Sequence, residues 1–336
     1  MSDFEDLPEH IAQSKPWGDF KTALGNKAIT VKNVQFTLHK MPVLNKNIGY
    51  CLRVDPENID WRVLRETAKE NNCSVIRFDC PNIIKRKLDP KETNEDKEER
   101  RQLTSQEKLF LQSCVKSPRN SFAKKTVLID ISPSKDQILT NMKSKTRYNI
   151  RYARRKGIRV KNESNKEGLE KFIYLQRQTA TREDFFVHPD NYYRTLWKYL
   201  APKEMAHIMI AYHEDDPEPL TANMFFTYNQ ILYYPYGGTS LKKRNLQHSA
   251  RTMWKGICLG KKYDCTIFDM WGATDNKNDD WWGFTRFKLG FGGDIYEFID
   301  SYDLVINPAV YKIFNLGYQT FWKLVSFKRK LRHKLT

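Results

Sequence analysis

Residues 231–270 read ILYYPYGGTSLKKRNLQHSARTMWKGICLGKKYDCTIFDM. Ile231 to Tyr236 is an apolar, aromatic run of strand length that Gly237-Gly238 ends. Leu246 to Lys261 reads as a helix, and Thr266 to Met270 as a further strand. Upstream, helices at Leu169 to Thr181 and Asn191 to Leu200 precede strands at His207 to Tyr212 and Leu220 to Thr227. The first half repeats that order. Trp17 to Leu24 is helical with Gly25 as its stop. Strands at Ala28 to Val31, Val34 to Met41 and Ile48 to Val54 follow, and Val34, Phe36 and Leu38 alternate with polar residues as in a half-buried strand. A helix over Trp61 to Glu70 and a strand over Ser74 to Phe78 complete the set. Helices, a β-meander, a helix and another strand, twice over, predict two similar α+β domains side by side. The charged, weakly patterned stretch Lys85 to Lys116 reads as an excursion from the core.

Composition agrees with a two-domain globular protein. The chain has 336 residues, 40% of them hydrophobic, with eight Trp, seventeen Tyr and nineteen Phe, too aromatic for disorder. It holds no apolar run of membrane-spanning length. The acidic start MSDFEDLPEH lacks the features of a secretory signal. Six scattered cysteines without a C-x-x-C pair read as reduced thiols, which points to a soluble, cytoplasmic protein. The net charge of +17 favours a polyanionic partner: nucleic acid, acidic lipid or a phosphorylated substrate.

The cations are concentrated in two places. KSKTRYNIRYARRKGIRVK, residues 143–161, has nine Lys or Arg and no acid; residues 304–336 have seven and again no acid. Ser132 as N-cap, Pro133 behind it and Gly157 at the far end predict one helix across the first of these. On that helix Leu139, Met142, Thr146, Ile150 and Ala153 form an apolar stripe, and Lys143, Arg147, Arg151 and Arg154 a column of cations. A guanidinium column suits a phosphate backbone; the plainer reading is a surface helix that happens to be basic. In the second stretch, Tyr318, Phe321, Trp322 and Val325 make an apolar stripe ahead of Lys328-Arg329-Lys330-Leu331-Arg332. That end packs on the first domain, rests on anionic lipid or helps grip RNA.

Several chemistries are missing. There is no Walker loop, no G-x-G-x-x-G after a strand, no G-x-S-x-G elbow and no histidine spacing for a metal. After Tyr236-Gly237-Gly238, where an acetyltransferase would carry a glycine-rich loop for the coenzyme A diphosphate, the chain reads Arg244-Asn245-Leu246-Gln247-His248-Ser249-Ala250. Coenzyme A is therefore disfavoured as donor.

The pattern K-x-K-T-R-Y-N-I-R-x-A-x-x-K-G-I-x-V over Lys143 to Val160 resembles the FemABX family of peptidyltransferases. So do Gln13-Ser14 with Trp17-Gly18, Tyr236-Gly237-Gly238-Thr239-Ser240, Phe268-Asp269-Met270-Trp271-Gly272 and GFTRFKLGFGG at 283–293, with Tyr296 and Asp303 behind them. The resemblance runs from about residue 12 to 303. It implies an α+β (mixed α/β) fold of two tandem N-acetyltransferase-like (GNAT) domains, residues 1–117 plus 304–336 on the acceptor side and 118–303 on the aminoacyl-tRNA side. It places the chain among the short FemX-like members, because no heptad arm is present.

The implied activity moves an amino acid from aminoacyl-tRNA to the stem-peptide amine of a peptidoglycan precursor, lipid II or UDP-MurNAc-pentapeptide, as a monomer without cofactor or metal. Lys288 takes the role of stabilising the tetrahedral oxyanion. Phe287 packs against the tRNA 3′ end, and Asp79 acts as base or positions the amine. Lys21, Arg182, Tyr234 and Tyr236 fall at acceptor-binding positions. Phe186 stands where short members can carry Tyr, and Phe122-Ala123 where the family usually has Gln-Pro. Lys143, Lys145, Arg147, Arg151, Arg154, Arg155 and Lys156 are the tRNA-binding candidates, and the basic C-terminus offers peripheral contact with the inner membrane face. Two other readings share these features: an N-acyltransferase of the same fold with an acyl-CoA donor, and a non-catalytic RNA- or membrane-surface-binding protein.

Overall fold

Ser14 accepts the Trp17 amide and Pro16 occupies the first turn, so the first helix, α1 (Lys15–Ala23), starts where its capping chemistry allows. The computed structural model describes residues 4–41, 44–88, 102–183 and 187–317. Behind α1 the strands β1 (Ala28–Val31), β2 (Val34–Lys40) and β3 (Asn47–Leu52) form an antiparallel meander. Asp60 caps α2 (Trp61–Glu70), which returns the chain to β4 (Cys73–Asp79), parallel to β3.

The chain next makes β5 (Ile84–Leu88), α3 (Ser105–Ser113) and β6 (Val115–Lys116). It continues through β7 (Lys125–Asp130), α4 (Lys135–Asn141), α5 (Ser144–Arg155) and β8 (Ile158–Asn162). Two helices, α6 (Lys166–Glu183) and α7 (Asp190–Leu200), lead to a second meander of β9 (Ala206–His213), β10 (Asp216–Tyr228) and β11 (Ile231–Thr239). The helix α8 (His248–Lys262) carries the chain to β12 (Ile267–Asp269), parallel to β11. Then come α9 (Trp282–Leu289), β13 (Asp294–Phe298), β14 (Tyr302–Val305) and a helix over 308–317. In each half a meander is followed by a helix and a parallel strand. That is the mixed α/β fold in two units expected from the doubled pattern.

The sheets run β1-β2-β3-β4-β14-β6 and β5-β13-β7-β12-β11-β10-β9-β8. One segment departs from the boundaries read in the sequence. β5 opens the expected excursion of the first unit, yet it pairs with β13 as the edge of the second sheet. Its apolar ends explain the choice: Ile84 and Leu88 sink into the two cores flanking that sheet, while Arg86 between them bonds Glu297 at 2.6 Å. From the far end of the chain, β14 enters between β4 and β6 of the first sheet. There Arg77 and Asp303 face each other, fully buried, through two 2.8 Å hydrogen bonds. Val310, Tyr311 and Phe314 of the last helix pack on Met41, Ile48 and Val75. The apolar stripe and basic cluster after residue 317, and Phe186, lie outside the described residues.

The single basic helix expected across 133–157 is two. Ser132 folds back on Asp130, and Ser134 instead caps α4 in a reciprocal capping box with Gln137. Met142 is extended (ψ 154°), and the Lys143 amide leaves the helical ladder to bond the Gly290 carbonyl at 3.0 Å. Gly292, at φ +91°, lies so close that a Cβ would meet the Asn141 carbonyl at 2.7 Å. The glycine-rich end of α9 thus wedges into the helix and breaks it. Arg147 turns back to bond the Thr140 carbonyl at 2.8 Å and that of Met142, satisfying the end of α4.

Candidate active site between the two sheets

The carboxyl ends of β3, β4 and β12 meet. Each is followed within two residues by a non-glycine residue in the left-handed region: Arg53 at φ +49°, Cys80 at +47° and Trp271 at +54°. Each such conformation costs on the order of 1–3 kcal/mol, so three together mark backbone held by its surroundings. Arg53 is the centre. Its guanidinium lies over the Phe298 ring at 3.4 Å and beside Phe122 at 5.2 Å, and one Nη donates to the Ala123 carbonyl at 2.9 Å. The other Nη is buried without a partner among the described residues. Burial lowers its pKa, and the charges of Asp269 and Asp79, with Cys80 and Tyr233, work against that. Trp271 closes the cluster, edge-on to Phe122 and Tyr233 and tilted against His10.

Lys288 enters from α9. It is 2% exposed, and its Nζ donates to the carbonyls of Trp271 and, at 2.6 Å, Gly272. Desolvation pulls its pKa down to about 7, against the opposing field of Asp269. Asp269 is itself oriented by the Thr126 hydroxyl and by the Trp271 amide at 2.8 Å. Phe284 places its ring 4.6 Å from Nζ, and the half-buried Phe287 packs edge-on to Phe291. Lys288 thus sits in an enclosed, oriented pocket that favours its neutral form more than water does.

Asp79 does not touch Lys288 directly. One carboxylate oxygen accepts the Ser301 hydroxyl at 2.6 Å and the Ser121 amide at 3.1 Å. It connects to Lys288 through the charges of Arg53 and Asp269. Lys21 lies among Trp17, Phe20 and Tyr192, with ring centres 5.2–5.5 Å from Nζ and no acidic partner among the described residues. Burial lowers its pKa to about 8. The Tyr192 hydroxyl bonds that of Tyr236 at 3.1 Å, so Lys21 and Tyr236 belong to one group, with His188 stacked on Tyr192. Arg182 reaches the Thr239 carbonyl at 3.0 Å, just beyond Tyr236.

Tyr234 does not join them. Between Met224 and Phe226 the β10–β11 register slips, with Met224 opposite Tyr236 and Phe226 opposite Tyr233. Pro235 is the extra residue of this bulge, since it has no amide to give the ladder. The slip turns Tyr233 and Tyr236 to one core and Tyr234 to the other, where it bonds Asn223 at 3.4 Å. At the start of α8, the buried His248 bonds Thr221 at 2.6 Å and the Lys242 carbonyl at 3.2 Å, with its side chain at the turn where a diphosphate would need free amides.

The sequence matches the FemAB family over residues 60–214 and 203–319. The chain belongs to the FemAB family. It is 22% identical to a lipid II:glycine glycyltransferase of Staphylococcus saprophyticus, over 95% of this chain and 91% of that one. A lipid II:glycine glycyltransferase of Staphylococcus aureus is 23% identical over 62% of this chain and 65% of its own length. Among solved structures, the crystal structure of FemX superposes with a TM-score of 0.78 at 16% identity, covering 92% of this chain and 95% of that one.

In this FemAB-family chain, sequence reasoning missed His10, Arg53 and Tyr233. None belongs to a periodic or spaced motif, and their partners lie far along the chain. Asp269 and Trp271 were visible in Phe268-Asp269-Met270-Trp271-Gly272, though without a role. Pro235 was the one legible sign that the two tyrosines would part. Among the basic candidates, Lys143, Lys145, Arg151, Arg154, Arg155 and Lys156 remain exposed, whereas Arg147 is turned into the α4–α5 junction. No cluster of metal-ligand type occurs among the described residues. No helix among them is long and apolar enough to cross a membrane.

Proposed function

We propose that this transferase moves an amino acid from the 3′ ester of an aminoacyl-tRNA to the stem-peptide amine of a peptidoglycan precursor. The observation that carries the reading is Lys288, an almost fully buried ammonium oriented by two backbone carbonyls beside Asp269. An ammonium has three donors, and two of them are engaged here. The third is available to an oxyanion. The donor ester is already activated, so the reaction needs only a neutral amine and a stabilised intermediate. The amine nitrogen attacks the ester carbonyl, the C–N bond forms and negative charge develops on the carbonyl oxygen, where Lys288 stabilises it. Collapse breaks the bond to the ribose oxygen, which takes up a proton as the nitrogen loses one.

Lys21, caged by aromatic rings without a counter-ion among the described residues, fits a phosphate of the acceptor, with Tyr236 and Arg182 alongside. Asp79, held by Ser301 and Ser121 within the field of Arg53, serves to position the amine. The lipid II:glycine glycyltransferases that the chain resembles make a lipid-linked acceptor and a glycyl donor the first pair to try. The buried His248 at the α8 turn speaks against a coenzyme A donor.

The test combines purified protein, a pool of charged tRNAs and both acceptor forms, nucleotide-linked and lipid-linked, with mass spectrometry of the stem peptide. A gain of one amino-acid residue that requires tRNA and vanishes in Lys288→Ala is expected. Transfer from an acyl-CoA instead, or full activity in Lys288→Ala, would overturn the reading.

A further inference from the structure

A cavity of about 760 Å³ opens between α5, β8 and α8. Six cations line it: Arg151, Arg154 and Arg155 from α5, Arg159 from β8, and Arg251 and Lys255 from α8. Only Arg159 has an acidic partner among the described residues, Glu214 at 2.6 Å, and it also donates to the Arg154 carbonyl at 3.1 Å. The Arg251 Nε is enclosed with no hydrogen-bond partner there. Burial lowers the Arg251 pKa, and Arg154 and Arg159 push it further down. Like charges converging on an unsatisfied donor destabilise the empty site and favour an anion with several charges.

Two further features select the kind of anion. On the α5 wheel, Arg154, Arg151 and Arg155 are followed around the surface by Tyr148 and Tyr152, which stack at 5.7 Å; Tyr148 is exposed. Cations beside an open aromatic pair suit a nucleic-acid strand, whose phosphates and base faces alternate. The start of α5 also abuts the end of α9: a Cβ on Gly290 would meet the Thr146 hydroxyl at 2.5 Å. Arg154 lies eight residues further, about 12 Å along the helix axis, within the reach of a few nucleotides from that end.

We infer that this cavity binds consecutive phosphates of the donor RNA's single-stranded 3′ segment, with Arg251 and Lys255 of α8 completing a site that α5 only half provides. The inference rests on the reading that the donor is a charged tRNA. A cation column on one helix would track a backbone from the surface. Here two helices and a strand flank it on an open cleft, which fixes the register of the RNA as well as attracting it.

The probe is a fluorescein-labelled RNA hairpin with a single-stranded ACCA 3′ end, titrated by anisotropy over a range of salt. In Arg251→Gln combined with Lys255→Gln the affinity should fall about tenfold or more, and the salt slope by about 0.7 for each lost phosphate contact. Arg154→Gln, an exposed change, should do the same on a smaller scale. Lys69→Gln with Lys203→Gln, removing equal charge elsewhere, should leave both unchanged. Without RNA, Arg251→Gln should melt no lower than the parent, because it relieves repulsion, and RNA should raise its melting temperature less.

Unchanged affinity and slope in the double variant, with transfer by the parent intact, overturn the inference and leave the proposed function standing. Loss of binding to phosphatidylglycerol vesicles in place of RNA binding assigns the cavity to lipid headgroups and also overturns it. If the parent protein binds no RNA hairpin at all, the proposed function falls and the inference with it.

Discussion

Lys288 is the residue on which chemistry and stability pull in opposite directions. With its pKa near 7 in the folded protein against an ordinary value of 10.5, the folded state binds fewer protons than the unfolded one between those limits. Stability therefore rises with pH across that window, and Lys288→Met should abolish the rise. At pH 6 the same variant, relieved of a buried charge, should be more stable by about 1–3 kcal/mol in urea unfolding while losing about 10²–10³ in kcat. As the oxyanion's partner, Lys288 must be charged, so kcat/KM should decline as pH rises through about 7. Lys288→Arg, charged throughout, should lose that alkaline limb at reduced overall rate, and a limb that persists would assign the titration to another group. Lys21→Met removes one charge-assisted contact and should raise KM for the acceptor about 10–100-fold, with KM for the donor unchanged in steady-state assays.

At the scale of elements, two arginines have separate tasks. Arg147 satisfies the end of α4, so Arg147→Gln should cost about 1 kcal/mol in thermal melting and leave the salt slope of RNA binding unaltered. The Arg77–Asp303 pair joins the middle of the first sheet to the strand that arrives from the far end of the chain, with the Tyr311 hydroxyl on Asp303 at 2.9 Å. Asp303→Asn leaves Arg77 buried without its counter-charge and should cost about 3–5 kcal/mol, read from the urea midpoint. β5, β8, β13, β14, α3 and α9 gave no reading, and Gln35 is buried between Val34 and Phe36 where alternation in β2 predicts exposure. The rest of the doubled set was largely legible, because strand-length apolar runs and the caps of α1 and α2 are local signals. The α4–α5 break was not. Its cause is the glycine-rich end of α9, some 150 residues away.

Across the whole molecule the two units share material. Trp17 and Phe20 of the first helix pack in one core with Leu196, Phe226 and Tyr233 of the second unit, and Ile84 joins them. Urea unfolding followed by tryptophan fluorescence and by far-ultraviolet circular dichroism should therefore give one coincident transition, and separated transitions would show the units to be independent. The candidate site has the same shared character: Asp79 ends β4 and Arg53 follows β3 of the first sheet, Asp269 ends β12 of the second with Trp271 just behind it, and Lys288 comes from α9.

The sequence alone determined the doubled succession of helix, meander, helix and strand, the surplus of cations and the family motifs, since each is carried by spacing within a few turns or strands. Tertiary structure decided which cations are free and which are spent on backbone, that Pro235 sends Tyr234 and Tyr236 to opposite faces, and that Arg53 lies between two acids. Those outcomes rest on contacts between residues far apart in the chain, such as Arg53 with Ala123 and Phe298. Periodicity records which face of an element is buried, but not what it is buried against.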